Sequence, residues 1–175
     1  GDPHFWLDPN NVIKYVENIR DGLIAADPAG KEIYTQNAAS YIAQLTELDG
    51  WIKTQVAQLP PERRILVTDH DTLGYFADRY GFTVIGALIP SLSTESSNSA
   101  QQLAGLIDQI RASGASAIFL ENGASPKLAE QVAAETGVQV VTELYTHSIT
   151  GPDGKAPTYL EMMKQNVSII VAALK

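Results

Sequence analysis

The sequence predicts an α/β fold: a four-stranded parallel sheet flanked by helices and preceded by one long helix. Three observations carry this. Short apolar, largely β-branched runs stand at residues 65–68, 82–87, 117–120 and 138–141, each the length of a buried strand. Helical stretches of about 10–15 residues alternate with them, which implies parallel βαβ units with right-handed crossovers. Ahead of the first run lies a helical pattern over residues 28–58. Some 30 residues at about 1.5 Å each give about 45 Å, longer than a compact lobe of this size needs, so this helix is suited to bracing two bodies.

In chain order, residues 8–26 form the first helix. Asp8 can cap its N-terminus, Pro9 suits the first helical position, and Val12, Val16, Ile19 and Leu23 recur at helical spacing. Asp27-Pro28 repeats the start signal for the long helix, whose stripe is Ile33, Tyr34, Asn37, Tyr41, Leu45, Leu48, Ile52 and Val56. Pro60-Pro61 ends it. After the first strand a helix over about residues 71–80 closes at Gly81, and a Ser/Thr/Asn crossover loop at 91–98 follows the second strand. Residues 99–113 are helical, with Leu103, Leu106, Ile107 and Ile110 on one face. Ser125-Pro126 opens a helix that closes at Gly137, and residues 158–175 form the last helix after a loop at 146–157. The boundary falls near residue 60, between a helical segment (1–60) and an α/β lobe (61–175).

Composition narrows the function. The chain has 175 residues, with 12 Lys+Arg against 20 Asp+Glu and a net charge of −8. It is a poor partner for nucleic acid or anionic lipid. Apolar residues make up 45 %, enough for a real core. No apolar run reaches the roughly 18–20 residues that span a bilayer. The absence of cysteine excludes disulfides, thiolate zinc sites and Cys nucleophiles. The opening Gly-Asp-Pro-His reads as the inside of a longer precursor whose signal sequence is not in this chain.

In an open parallel sheet, ligands bind beyond the carboxyl ends of the strands. Asp69, His70 and Asp71 follow the first strand, Glu121 and Asn122 the third, and Glu143, Tyr145 and His147 the fourth. The remaining histidine, His4, precedes the first helix. Neutral imidazole nitrogens with carboxylates nearby suit Zn²⁺ or another divalent transition metal. The gaps, 70 − 4 = 66 and 147 − 70 = 77 residues, are too long for a zinc finger and suit a site gathered from distant loops. Each histidine taken singly has the plainer reading of a hydrogen-bonded loop residue. Asp8 and Asp27 serve as helix caps, and Asp2 need only orient its segment. Phe5 and Trp6 are core anchors, and Met162-Met163 is a helix face packed on the sheet. Asn166-Val167-Ser168 is a glycosylation sequon by chance. Residues 151–155 superficially resemble a phosphate loop but lack the preceding strand and the Ser/Thr after Lys155.

Taken together, the motifs resemble those of a known family. Asp2-Pro3-His4-Phe5-Trp6-Leu7-Asp8-Pro9 resembles the D-P-H-x-W-L-D-P segment of the zinc/manganese solute-binding proteins of ABC transporters, the zinc-uptake and adhesin-lipoprotein type. Thr68 to Phe76 is similar to the family's H-D-A-F-x-Y-F element and is followed by Arg79-Tyr80-Gly81. Ile118-Phe119-Leu120-Glu121 resembles its I-F-x-E strand, and Thr158 to Asn166 its T-Y-x-x-M-M-x-x-N helix. The resemblance covers the whole chain but only the second part of the family's protein. It implies two α/β lobes joined by a rigid helix, here residues 28–58, with one divalent metal between them. It implies His4 and His70 as ligands, a further His from the missing N-terminal lobe, and a fourth ligand from the final loop. That fourth ligand is usually an Asp before Ser, and here His147 stands in its place. The nitrogen-rich set favours Zn²⁺, with Mn²⁺ as the alternative. Asp69, Asp71, Glu121 and Glu143 are candidates to accept a ligand's other N–H.

The resemblance further implies an extracytoplasmic receptor, periplasmic or extracellular and possibly lipid-anchored, that passes metal to a membrane permease without catalysis. The alternative is a zinc-dependent hydrolase that uses the same histidines, leaves one position open for water, and employs Glu121 or Asp69 as general base. The sequence has no H-E-x-x-H and no G-x-S-x-G to support it. With a lobe and a ligand absent, metal affinity is expected to be low, and the region around His4 is expected to lack its packing partner or to dock on another copy of the chain.

Overall fold

The computed structural model describes residues 1–89 and 100–175. The crossover loop expected at 91–98 lies outside them. Helix α1 (Pro9–Ala26) begins where the Asp8-Pro9 signal places it, with the Asp8 carboxylate accepting from the Asn10 N–H at 2.9 Å. A short turn at Pro28–Gly30 leads into α2 (Lys31–Val56). Then follow β1 (Ile65–Thr68), α3 (Gly74–Tyr80), β2 (Thr83–Ala87), α4 (Ala100–Ser113), β3 (Ala117–Glu121), α5 (Lys127–Thr136), β4 (Gln139–Leu144) and α6 (Tyr159–Leu174). Gly81 and Gly137 end α3 and α5 in the left-handed region, at φ 72° and 78°, which a Cβ would penalise.

The four strands are parallel and lie in the order β2-β1-β3-β4. The chain runs outward from β1 to β2, then returns to lay β3 on the other side of β1. This makes the crevice between the ends of β1 and β3 the switch point at which such sheets bind ligands. Side-chain alternation assigns the two faces. Leu66, Ala117 and Phe119 share one core with Leu48, Ile52 and Val56 of α2, Phe76 and Tyr80 of α3, and Met162, Met163, Val167 and Ile170 of α6. Val67, Ile118 and Leu120 share the other with Leu106, Ile107 and Ile110 of α4 and Ala129 and Val132 of α5.

The expected stripes of α1 and α2 are buried only in part. From Leu45 onward α2 is buried as expected, but Ile33 is 56 % exposed and Asn37 is exposed. On α1, Val12 is buried while Ile19 is 60 % and Leu23 43 % exposed. The outer parts of both helices pack on each other, and Ile19 and Leu23 line an open groove with Val16, Tyr34 and Tyr41. The join of the two halves is tied by Asp49. Its carboxylate accepts from Arg79 at 3.0 and 2.8 Å, Lys53 at 2.7 Å, Tyr80 at 3.0 Å and Asn10 at 3.4 Å. Burial works against ionising it, but the guanidinium, ammonium and phenol donors outweigh that and hold its pKa at about 2.

Candidate metal centre

The three histidines come together at the carboxyl rim of the sheet. His4 sits just before a single 3₁₀ turn, Phe5–Leu7, that leads into α1. His70 is two residues past β1 and His147 three residues past β4. His4 is 2 % and His70 5 % exposed, whereas His147 remains open on one side.

The same device holds each of them. A single carboxylate oxygen of Asp2 takes the His4 main-chain N–H at 2.9 Å and its Nδ1 at 2.6 Å. One oxygen of Asp69 takes the His70 main-chain N–H at 2.9 Å and lies 3.1 Å from its Nδ1. One oxygen of Glu121 takes the His147 main-chain N–H at 3.1 Å and its Nδ1 at 2.9 Å. A carboxylate partner assigns the proton to Nδ1 in each ring and leaves Nε2 with a bare lone pair, the arrangement of a metal-binding imidazole.

The Nε2 atoms of His4 and His147 are 3.0 Å apart. The Nε2 of His70 is buried with no hydrogen-bond partner among the described residues. One ligand nitrogen from each of the three rings falls within 4.8 Å of the others. Two nitrogens bound to one tetrahedral Zn²⁺ at about 2.0–2.1 Å stand about 3.4 Å apart, so the spacing fits a single ion. Lone pairs gathered this closely repel each other, and a buried unpaired nitrogen costs stability; a cation among them removes both penalties.

The neighbouring carboxylates also shift the titration of the site without an ion. The Asp69 hydrogen bond raises the His70 pKa against the opposing effect of burial, with further help from the charges of Asp69, Glu121 and Asp71. Asp69 is pushed up by burial, but its bonds to His70 and to the Glu121 main-chain N–H leave it below the ordinary carboxylate range. Both Asp69 and Glu121 are spent on holding imidazoles.

Of the four carboxylates expected to accept a ligand's second N–H, Asp69 lies 3.1 Å from the His70 Nδ1 and Glu121 2.9 Å from the His147 Nδ1. Asp71 is exposed, contributes only charge, and forms no hydrogen bond to a histidine among the described residues. The Glu143 carboxylate pairs instead with Lys155 at 2.9 Å on an exposed surface. The acceptor that the sequence did not single out is Asp2, for which the signal was its position two residues before a histidine. The framework around the site was also unforeseen. The Asn166 amide bonds both ways to the Tyr145 main chain, at 2.9 and 2.8 Å, so it steers the loop that carries His147. Buried at 4 % exposure, it is unsuited to glycosylation.

Comparison with known proteins places this geometry in context. Residues 1–173 match the family model for the periplasmic zinc-uptake complex component A. The chain is 38 % identical over 173 residues to the manganese-binding lipoprotein MntA of Halalkalibacterium halodurans, covering 99 % of this chain and 57 % of that protein. It is 36 % identical to the iron-binding protein YfeA of Yersinia pestis, covering 97 % of this chain and 54 % of that protein. Among solved structures, it superposes on the periplasmic zinc-binding protein TroA of Treponema pallidum with a TM-score of 0.88 at 33 % identity. It superposes on a Mn-bound periplasmic metal-binding protein of Candidatus Liberibacter asiaticus with a TM-score of 0.87 at 33 % identity. Each of these two matches covers 99 % of this chain and 64 % of the other. The chain thus spans somewhat over half the length of the curated relatives it matches.

Proposed function

The chain belongs to the periplasmic zinc-uptake component A family of metal-binding proteins, and from that premise we propose that it is the metal-holding half of an ABC transporter's solute-binding component. It captures a divalent transition metal at His4, His70 and His147 and delivers it to a membrane permease. The observation that carries this reading is the convergence of three imidazoles whose Nδ1 atoms are each held by a carboxylate. The relatives are named for binding manganese, iron and zinc, which supports a divalent transition metal here and leaves its identity to this chain's own ligands.

Those ligands favour zinc. Three imidazole nitrogens suit Zn²⁺, whereas Mn²⁺ prefers oxygen. His147 stands where the resemblance would put an Asp, which moves the balance further toward nitrogen. The fourth ligand comes from an N-terminal lobe that closes over the open side of His147. That lobe also covers the apolar groove of α1 and α2, with residues 1–60 supplying the ligand segment and linking helices and residues 61–175 the lobe. Among the described residues no helix is long and apolar enough to cross a membrane. The protein works outside the cytoplasm, in a periplasm or tethered by lipid.

Competitive titration of zinc against manganese, with metal analysis of the protein purified from cells, tests the reading. For the full-length protein, zinc displacing manganese is the expected result; manganese displacing zinc overturns the preference, and no binding of either overturns the function.

A further inference from the structure

Trp6 packs against two of the three histidines. Its ring meets His4 edge-on at 5.5 Å and 71°, and His147 edge-on at 5.9 Å and 73°. Its Nε1–H donates to the Thr146 carbonyl at 2.7 Å, the peptide immediately before His147. Its own carbonyl accepts from the Tyr159 hydroxyl, also at 2.7 Å, at the start of α6. Burial of that phenol pushes its pKa up, so it stays a donor. The segment that carries His4 therefore grips the loop that carries His147 through one indole, although 140 residues separate the bonded pair.

The apolar body of this side chain could be replaced by a phenyl ring. Its N–H could not, because it is the one polar atom of the indole and its acceptor belongs to a 2 % exposed residue. We propose that Trp6 is a positioning residue that sets the separation of His4 and His147 through the Thr146 carbonyl, so that the two imidazoles move as a unit. The inference rests on the reading of these histidines as ligands to one ion, and it adds the element that couples them. Trp6 does not touch the ion itself.

A double-mutant cycle read by zinc titration tests this in the whole chain. The variants are Trp6→Phe, His147→Ala and both together. Trp6→Phe is expected to weaken zinc binding about tenfold, the low end of what outer partners of metal ligands contribute. In the His147→Ala background the same change is expected to cost less than about twofold, because the group it positions is gone. An equal loss in both backgrounds, or no loss in either, overturns the coupling. Zinc binding unaffected by His147→Ala overturns the metal site itself, which separates the two failures. Should Trp6→Phe fail to fold by circular dichroism, Tyr159→Phe replaces it in the cycle, with the same non-additivity expected and additivity refuting it. The chain has two tryptophans, Trp6 and Trp51. With Trp51→Phe, emission from the remaining indole must change as one equivalent of zinc is added; a flat signal contradicts the proposal.

Discussion

The two halves of α2 follow the same apolar spacing and meet opposite surroundings. Leu45 and Ile52 are fully buried, while Ile33 stands 56 % exposed, as Ile19 and Leu23 of α1 are exposed. Periodicity therefore marks a face that requires a partner, but it does not say whether that partner lies within these 175 residues. The same division runs through the metal centre. His70 and His147 stand on the rim of a rigid sheet, whereas His4 belongs to a segment pinned to the lobe by Trp6, Tyr75 and Tyr159.

The largest effect expected from this contrast is on stability. Ile52→Ala should cost about 2–5 kcal/mol, and Ile33→Ala no more than about 0.5 kcal/mol, in urea unfolding. Equal costs would erase the distinction between the halves. Removing a sheet-borne ligand comes next. His70→Ala should reduce zinc affinity by about 100-fold or more, roughly 2.7 kcal/mol, while leaving the unfolding midpoint nearly unchanged. Unchanged affinity would take His70 out of the site.

The junction of the halves is pH-sensitive in a defined window. Asp49 has a folded pKa of about 2 against an ordinary 3.8. Its donors thus contribute stability that is present above the unfolded value and is lost as pH falls through about 2. The amount is on the order of 2 kcal/mol. Asp49→Asn should flatten the pH dependence of stability between about pH 4 and 2, and an unaltered profile would assign it to other carboxylates.

The smallest effect concerns the carboxylate that holds His4. A Cβ on Gly74 would lie 2.9 Å from an Asp2 carboxylate oxygen. Gly74→Ala should push that carboxylate off His4 and weaken zinc binding a few-fold without lowering stability, since alanine favours a helix. A loss of stability with intact binding would reverse the reading of this contact.

Much of this was legible from local chemistry. The Asp8-Pro9 start and the Gly81 and Gly137 ends are set by caps that lie within a few residues of each other. The gathering of His70 and His147 followed from the rule that places sites beyond strand ends. What failed depended on distant or directional facts. Glu143 sits one residue from the end of β4, and its pairing with Lys155 instead of a histidine could not be read from that position. Asp2 needed the orientation of the His4 ring, and the exposure of Ile19 and Ile33 needed knowledge of which body covers them. The Asp49 cluster joins residues on three helices that carry no common motif.

Anomalous diffraction at the zinc edge, from crystals grown with one equivalent of zinc, tests the central claim most directly. The account predicts one peak about 2.0–2.1 Å from the Nε2 atoms of His4, His70 and His147 together. A peak on other side chains, or on fewer than these three nitrogens, would contradict it.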